Sequence, residues 1–328
     1  MNITIIGSGT WGCAIAILLA DKGYNVKIWA HSSEAAKELA KTRRLPQLPG
    51  AELQKSIEIT DDMENAAKDA ELLVMAVASP YVRSTSAKLC PFVKKGGIIV
   101  NLAKGIEEDT FAFPDRQIRE EIPFANVAVL SGPSHAEEVS RFIPTTCVVG
   151  ADDEKTADYL QDIFMTDDFR VYTGNDIIGM ELGASLKNVI ALAAGMSDGL
   201  GCGDNLRAAL ITRGLAEINR LGKAMGAKPE TVYGLTGLGD LIVTCASMHS
   251  RNRRAGIYIG QGKTLKEAIE LVGMAVEGVN CAKAAKALSE KYDVEMPIVK
   301  KVNEILFENL SPALAIKELM GREKKSEQ

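Results

Sequence analysis

The most informative chemical feature is a glycine-rich segment near the N-terminus. Gly7, Gly9 and Gly12 form a Gly-x-Gly-x-x-Gly pattern directly after the apolar run 3–6. Between a strand and a helix, the first glycine permits a tight turn, and the second lets backbone N–H groups approach a phosphate. The third lets the helix pack on the strand, and the helix N-terminus attracts the anion. The pattern predicts a dinucleotide-binding turn; the alternative is a packing turn that binds nothing.

A lysine in the second half of the chain is a candidate for proton transfer. Lys187 lies in the middle of a helical pattern over residues 179–195, among alanine, leucine, valine and isoleucine. Desolvation on an apolar helix can make a lysine usable as an acid or base near neutral pH. The alternative is a solvated lysine on a polar stripe with Glu181 and Asn188. The helix alone leaves both interpretations open.

Two later segments carry charges of complementary chemistry. Asp240 ends the glycine-rich segment 236–240, which we interpret as a turn before an apolar run. Ser250 can cap the next helix, so that Arg251 and the helix N-terminus would together favour a phosphate. As alternatives, Asp240 could be an ordinary turn residue, and the arginines could form a solvated face.

Two segments that follow predicted strands add polar groups. Lys104, in the segment 101–105, places a cation near the expected nicotinamide position. The segment 131–136 opens a helix and offers backbone donors. Its His135 is a candidate for proton transfer, although we favour a first-turn residue near the cofactor.

The elements that must position these residues follow from apolar patterning. Near-continuous apolar runs separated by helical patterns predict a mainly parallel sheet covered on both faces. Ligands of such sheets bind beyond the carboxyl ends of the strands. The loops 78–80, 101–104 and 131–133 should therefore line one crevice with the glycine turn. The predicted strands are 3–6, 26–29, 57–59, 72–78, 98–102, 127–130, 145–149 and 169–172.

The second half of the chain is predicted to be helical. Strand-like runs end near residue 175, and capping signals mark several helices, such as Thr264 with Glu267. We therefore predict an α/β Rossmann-like domain over residues 1–178 and an all-α domain over residues 179–328. The predicted helices are 179–195, 206–225, 251–261, 264–272, 277–292, 297–307 and 311–320.

Composition excludes several classes of function. The 328 residues carry a net charge of −5 and no long basic block, which argues against general nucleic-acid binding. We find no apolar run long enough to span a bilayer and no signal-peptide pattern. The six cysteines are widely scattered and histidine occurs three times, so we predict no metal site and a reducing, cytoplasmic location.

Taken together, the motifs resemble those of bacterial NAD(P)-dependent glycerol-3-phosphate dehydrogenases. The matching segments run in order through almost the whole chain. They are GSGTWG (7–12), NLAKGIE (101–107), SGPSHAEEV (131–139), ELGASLKNVIALAAG (181–195), NLRAALITRGLAE (205–217), GLGDLIVTC (237–245), SRNR (250–253) and VEGV (276–279).

This resemblance implies a reaction and a set of site residues. It implies reversible hydride transfer between NAD(P)H and dihydroxyacetone phosphate, giving sn-glycerol 3-phosphate for phospholipid synthesis at a site between the two domains. Lys187 would accept the proton during oxidation, and Lys104 and Asp240 would complete the polar cluster. The implied substrate residues are Lys104, Gly132, Ser134, Lys187, Asp240, Ser250, Arg251 and Asn252. The implied cofactor residues are Gly7, Gly9, Thr10, Trp11, Gly12, His31, Lys104, Ala136, Arg251, Ala275 and Glu277.

The cofactor preference rests on the segment after the second predicted strand. An acidic residue usually binds the ribose 2′-hydroxyl of NAD there, and residues 30–33 contain none. This favours NADP slightly, and we hypothesise that Arg44 contributes to the adenosine phosphate pocket. Ala275 departs from the family, which commonly has a bulkier aliphatic residue at that position.

Two other functions are alternatives. A hydroxyacid or 6-phosphogluconate-type dehydrogenase also combines a Rossmann domain with a helical domain and a Lys–Asn site. A redox-sensing dinucleotide-binding module would bind cofactor without turnover. The SRNR and GLGDL segments favour a glycerol-3-phosphate dehydrogenase over the hydroxyacid type, and Lys104, Lys187 and Asp240 argue against a module without catalysis. A homodimer is possible, because helical second domains often contribute to dimers.

Overall fold

A computed structural model describes residues 1–324 and 326–327. One eight-stranded sheet organises the first half of the chain, with the strand order β3-β2-β1-β4-β5-β6-β7-β8. The strands are β1 (Asn2–Ile6), β2 (Asn25–Trp29), β3 (Glu58–Thr60), β4 (Leu72–Met75), β5 (Ile98–Asn101), β6 (Asn126–Ser131), β7 (Thr145–Gly150) and β8 (Phe169–Gly174). All neighbours pair in parallel except β6 and β7, so the predicted mainly parallel sheet is confirmed.

Helices cover both faces of this sheet. They are α1 (Thr10–Asp21), α2 (Ser33–Thr42), α3 (Met63–Ala67), α4 (Val82–Leu89), α5 (Pro114–Glu121), α6 (Ala136–Val139) and α7 (Glu154–Phe164). Ile3 and Ile5 of β1 pack in one apolar cluster with α1, α2, α6 and α7. Ile6 points to the opposite face and packs in a second cluster with α3, α4 and α5. Because successive side chains of a strand alternate between faces, burial on both faces produces the continuous apolar runs seen in the sequence.

The rest of the chain is helical. Its helices are α8 (Ile177–Gly199), α9 (Gly203–Ala224), α10 (Pro229–Val232), α11 (Asp240–Ala246), α12 (Arg251–Gly260), α13 (Leu265–Val272), α14 (Glu277–Lys291), α15 (Pro297–Phe307) and α16 (Pro312–Met320). The predicted capping box of α13 is present, with Thr264 and Glu267 bonded reciprocally. The fold class predicted from the sequence, an α/β Rossmann-like domain plus a helical domain, is confirmed.

The chain forms two compact units. Unit 1 contains Met1–Glu107 and Ala112–Glu181, and unit 2 contains Glu108–Phe111 and Leu182–Gln328. The division falls within α8, whose first residues belong to unit 1. The short segment Glu108–Phe111 belongs to unit 2, where Lys283 of α14 contacts Glu108 at 2.8 Å. The boundary at 178 and 179 stays a prediction from sequence.

One prediction about local structure is wrong. We interpreted the segment 236–240 as a turn before an apolar run, but Asp240 is the first residue of helix α11. A single π-helical turn, Leu235–Gly239, leads directly into this helix. Glycine and β-branched residues disfavour helix in isolation, so packing within unit 2 has overridden local propensity here.

Helix α8 is long and apolar enough to cross a membrane by length and composition, contrary to the expectation from the sequence that no apolar run reaches that length. Its most apolar window is 89% buried inside the protein. Such burial is typical of a central core helix, because lipid would have no access to the apolar side chains.

Candidate active site

The glycine turn has the geometry that the sequence predicts. Gly7 has a φ of +125°, and a Cβ on it would lie 2.8 Å from the Ala76 carbonyl carbon. A Cβ on Gly12 would lie within 3.0 Å of the Gly7 carbonyl oxygen, so helix α1 approaches the turn closely. A Cβ on Gly9, in contrast, would meet nothing within 4 Å. The open space at Gly9 and the N-terminus of α1 fit a pyrophosphate.

The loops that follow β4, β5 and β6 lie against one another in unit 1. A Cβ on Gly105 would collide with the Ser79 side chain, which places the first two loops in contact. The Lys104 Nζ donates to the Gly132 carbonyl oxygen at 3.1 Å, and the Ser134 hydroxyl donates to the same oxygen at 3.1 Å. Unit 1 therefore brings together three of the predicted substrate residues.

The loop that contains Lys104 is anchored by the buried carboxyl group of Glu181. Glu181 accepts a hydrogen bond from the Asn101 Nδ2 at 2.9 Å and another from the Asp115 backbone N–H at 3.1 Å. The Asn101 side-chain amide also bonds both the N–H and the carbonyl of Ala103. Burial raises the pKa of Glu181 well above its ordinary value, and the neighbouring Asp115 adds to the rise.

The remaining predicted cofactor residues of unit 1 lie at element ends. Thr10 and Trp11 open α1, and Ala136 is the buried first residue of α6. His31 is exposed directly after β2. His135 immediately precedes α6 as its N-cap residue, one position before the first turn in which the sequence placed it.

Arg44, which we associated with an adenosine phosphate, has a partner in the structure. Its Nε donates to the Glu52 carboxylate at 3.1 Å, and both side chains are exposed. Exposed ion pairs contribute little free energy, so this contact leaves the guanidinium able to bind another anion.

Lys187 is buried and paired within unit 2. Its residue is 6% exposed, which excludes the solvated-stripe interpretation. The Lys187 Nζ lies 2.5 Å from the Asp240 Oδ1 and donates to the Thr244 hydroxyl at 3.1 Å. The Thr244 hydroxyl in turn donates to the Asp240 backbone carbonyl at 2.6 Å. A buried ammonium needs such a counter-charge and acceptor set, because the unpaired ion would be strongly destabilised.

Small residues let α8 and the turn before α11 approach closely enough for this pair. A Cβ on Gly183 would lie 2.9 Å from the Gly237 Cα and 3.0 Å from the Thr236 carbonyl oxygen. Asp240 and Thr244 are one helical turn apart on α11, so both face Lys187. Gly237 is therefore needed for this packing.

A second polar group in unit 2 surrounds the start of α12. The Ser250 hydroxyl caps the helix by accepting from the Arg253 N–H at 3.1 Å, and Arg251 is the first helical residue. The buried Asn252 side chain donates to the Asn188 Oδ1 at 2.9 Å and accepts from the Gly278 N–H at 2.8 Å. Both ends of the Asn252 amide are thus engaged by protein groups, which the sequence did not predict.

The Asn188 Nδ2 remains a buried donor for which no hydrogen-bond partner is found. An orphaned buried donor is costly unless a ligand or water satisfies it. Asn188 and Thr244 are the two candidate site residues that sequence reasoning missed. Asn188 follows Lys187 directly in the sequence, and Thr244 lies one helical turn after Asp240. These positions are the signals that could have identified the two residues.

The last predicted cofactor residues lie before and in α14. Ala275 is exposed, and Glu277 is the half-buried first residue of the helix. They belong to unit 2, as does Arg251. Among the residues that the structure describes, no three or more His, Cys, Asp or Glu side chains are grouped so as to hold a metal ion.

The fold and these groups define a class of protein. A glycine turn built for a pyrophosphate, in a sheet of this order, and a buried lysine–carboxylate pair in a helical unit are the parts of an NAD(P)-dependent dehydrogenase. Residues 2–157 match the model of the N-terminus of NAD-dependent glycerol-3-phosphate dehydrogenase, and residues 176–317 match the model of its C-terminus. The chain belongs to this family.

Individual relatives agree with this assignment. The glycerol-3-phosphate dehydrogenase (NAD(P)+) of Agathobacter rectalis is 56% identical over 327 residues, covering 99% of this chain and 97% of the relative. The enzyme of the same name from Fusobacterium nucleatum is 56% identical over 330 residues, covering 100% and 98%. A crystal structure of glycerol-3-phosphate dehydrogenase from Coxiella burnetii superposes with a TM-score of 0.94 at 36% identity, covering 98% and 99%. The resemblance stated from the sequence is confirmed.

Proposed function

We propose that the chain catalyses the reversible NAD(P)H-dependent reduction of dihydroxyacetone phosphate to sn-glycerol 3-phosphate, with Lys187 as the proton donor and acceptor. Family membership supports the reaction, and the buried Lys187–Asp240 pair supports the assignment of the proton. When bound, the nicotinamide cofactor supplies or takes up the hydride. The product provides the backbone for glycerophospholipids.

The Lys187 ammonium suits the reducing direction. As the hydride reaches the carbonyl carbon, negative charge develops on the oxygen, and a positioned ammonium both stabilises this charge and donates the proton. Asp240 and Thr244 hold the Nζ in one orientation by the contacts at 2.5 Å and 3.1 Å. In the oxidising direction the lysine amine takes the hydroxyl proton, and Asp240 stabilises the resulting ammonium.

We assign the phosphate end of the substrate to the start of α12. Ser250, Arg251 and Asn252 combine a guanidinium with the first-turn amides of a helix, which together favour a phosphate. The Asn188 Nδ2, a buried donor, would serve a substrate oxygen between this end and Lys187. Binding energy at the phosphate would then orient the reacting carbonyl.

Lys104, Gly132 and Ser134 are assigned to the same substrate as a second polar group. Their support is the mutual contact through the Gly132 carbonyl and the location of their loops at the carboxyl ends of β5 and β6. An additional cation would stabilise the developing alkoxide.

For the cofactor we propose the glycine turn and its surroundings, with a slight preference for NADP. Residues 7–12 would hold the pyrophosphate, and His31, Ala136, Ala275 and Glu277 would line other parts of the cofactor. Residues 30–33 lack an acidic side chain, and Arg44 is the guanidinium we assign to the 2′-phosphate. An Arg44→Tyr variant with an unchanged ratio of NADPH to NADH turnover would remove this assignment.

The location of the enzyme, its oligomeric state and its independence from nucleic acid are also proposals. The scattered cysteines support a reducing cytoplasm, and the helical second half supports a homodimer. The expected independence from nucleic acid follows from the net charge of −5 without a basic block. Fractionation and sedimentation analysis test the location and the oligomeric state.

The test of the proposed function is a Lys187→Met variant. Met keeps the length of the apolar stem and removes the transferable proton, so kcat for dihydroxyacetone phosphate should fall by about a hundredfold to ten-thousandfold. NADPH affinity, measured by fluorescence titration, should change little. Lys300→Met, at a lysine whose side chain is 68% exposed, is the matched control.

The alternatives give different results in the same assay. A 2-keto acid that oxidises NADPH faster than dihydroxyacetone phosphate would indicate a hydroxyacid dehydrogenase. Tight NADPH binding without turnover of either substrate would indicate a sensing module. Full turnover by the Lys187→Met variant would remove Lys187 from the mechanism.

A further inference from the structure

Helices α8 and α12 pack with their backbones in contact within unit 2. Gly195 and Gly199 of α8 face Gly256 and Gly260 of α12. A Cβ on any of these glycines would lie less than 3.0 Å from a carbonyl oxygen of the opposite helix. The proposed proton donor Lys187 lies on α8, and the proposed phosphate residues lie at the start of α12. The distance between the proton donor and the phosphate residues therefore depends on this packing.

Close glycine packing lets the backbones of the two helices approach each other. A side-chain pair at the end of α8 adds a specific contact between them. The Asp198 Oδ2 accepts from the Arg253 Nε at 2.9 Å and lies 2.7 Å from its Nη2. Both side chains are largely buried, at 12% and 11% exposed. A charge-assisted contact with low exposure is stronger and more directional than a surface pair.

The same guanidinium also holds the chain between α11 and α12. The Arg253 Nη1 donates to the Ala246 carbonyl oxygen at 3.0 Å and contacts the Met248 Sδ at 3.0 Å. Ala246 ends the helix that carries Asp240 and Thr244. Arg253 therefore connects α8, the end of α11 and the first turn of α12 through one rigid fork.

We propose that Asp198 is a positioning residue for the phosphate end of the substrate, acting through Arg253 on the first turn of α12. This inference rests on the proposed binding of the substrate phosphate by Ser250, Arg251 and Asn252. Asp198 itself touches neither the reacting carbonyl nor the phosphate. Its loss would let the start of α12 shift while the Lys187–Asp240 pair on α8 and α11 stays in contact.

A substrate without the phosphate separates positioning from general damage. Dihydroxyacetone has the same carbonyl but makes no phosphate contact, so the ratio of kcat/KM for dihydroxyacetone phosphate to that for dihydroxyacetone measures the phosphate interaction. A shift of about 1 Å at a binding group can cost a hundredfold in rate. The Asp198→Asn variant should lower this ratio by about tenfold or more, mainly through KM for the phosphorylated substrate.

Asp204→Asn is the matched control. Asp204 contacts Arg207, which also donates to the Asp198 Oδ1 at 3.0 Å, but the Asp204 side chain is 87% exposed. Its substitution removes the same chemical group from the same network without touching Arg253, so the ratio should stay at the wild-type value.

An Arg251→Ala variant distinguishes the inference from the function on which it rests. If this variant keeps the wild-type ratio, the proposed phosphate site is wrong. If Arg251→Ala lowers the ratio while Asp198→Asn leaves it unchanged, the positioning role of Asp198 is overturned. Should Asp198→Asn fail to fold, the Arg253→Lys variant tests the same positioning role. One ammonium cannot bridge Asp198 and Ala246 as the guanidinium does. An unchanged ratio in that variant also overturns the inference.

Discussion

Lys187 illustrates how one buried charge constrains its neighbours. An ammonium that is 6% exposed needs a counter-charge and acceptors, and Asp240 and Thr244 both contact its Nζ. Removing one partner of such a pair costs more than the pair itself contributes, since the other charge is left without compensation. The proposed proton donor and its carboxylate therefore act as one unit, and substitutions at the two positions should be far from additive.

A second buried carboxyl group, remote from Lys187 in sequence, caps a helix. Glu217 of α9 accepts hydrogen bonds from the Ile298 N–H at 2.8 Å and the Val299 N–H at 3.2 Å, in the first turn of α15. These bonds, with Arg220 and Arg322 nearby, favour the ionised form. Burial disfavours it more strongly and raises the pKa of Glu217 to about 7.

Glu217 should therefore make stability depend on pH. Because the folded-state pKa lies above that of the unfolded chain, the folded protein holds the proton to higher pH, and stability falls as pH rises from about 4.5 to 7. The free energy of unfolding should drop by about 3 kcal/mol relative to a Glu217→Gln variant across this window. Chemical denaturation at several pH values measures the difference.

Glu230→Gln, at an exposed glutamate of α10, is the control for that comparison. It should follow the wild-type pH dependence. Parallel pH profiles for the wild type and Glu217→Gln would show that the Glu217 carboxyl does not titrate differently in the folded and unfolded chains.

Among the elements, α8 is the one on which unit 2 depends most. Gly183 lets it approach the turn before α11, and Gly195 and Gly199 let it approach α12. A helix normally gains stability when alanine replaces glycine, by about 1 kcal/mol. At these contacts the opposite should occur, because a Cβ would meet backbone that cannot move aside.

Gly256→Ala tests this expectation on α12. The added Cβ would lie within 3.0 Å of the Leu192 carbonyl oxygen and 2.9 Å from the Gly195 Cα. The substitution should lower the free energy of unfolding by about 2 kcal/mol or more, as overpacking in well-packed cores does. Gly222→Ala on α9 is the control, since its Cβ would meet side chains and no backbone, the nearest being Leu182 at 3.1 Å, and should cost much less. Equal losses for the two variants would contradict the backbone-contact explanation.

The sequence predicts some of these elements much better than others. Runs such as 72–75 are strands buried on both faces, so composition alone identifies them. Helix α11 was missed because its β-branched residues follow glycines, and only contacts with distant parts of unit 2 make the segment helical.

In the candidate site, too, local features could be predicted from the sequence and contacts between distant residues could not. The glycine turn is local and could be derived from spacing. The contact between Lys187 and Asp240 joins residues far apart in the chain, so family resemblance could suggest it while the residues alone left it open. Asp198 and Arg253 lie 55 positions apart and carry no local signal, although the paired Gly-x-x-x-Gly spacings at 195–199 and 256–260 hint at close helix packing.

At the scale of the whole molecule, the path of the chain determines how the two units unfold. The chain crosses from one unit to the other after Glu107, after Phe111 and after Glu181. The last passage falls inside the continuous helix α8 (Ile177–Gly199). If unit 2 unfolded alone, only five residues of this helix would remain folded on unit 1, and so short a helix is not stable without its packing.

We therefore expect the chain to unfold in one cooperative transition. Scanning calorimetry should show a single peak, and saturating NADPH should move the whole peak upward. Ligand at a hundred times its dissociation constant adds about 2.7 kcal/mol to the native state, which corresponds to a shift of a few degrees for a chain of this size. The Lys187→Met variant should show the same NADPH shift, because Lys187 is not among the residues proposed to bind the cofactor. Two resolved peaks of which NADPH moves only one would show that the two units unfold independently despite sharing a helix.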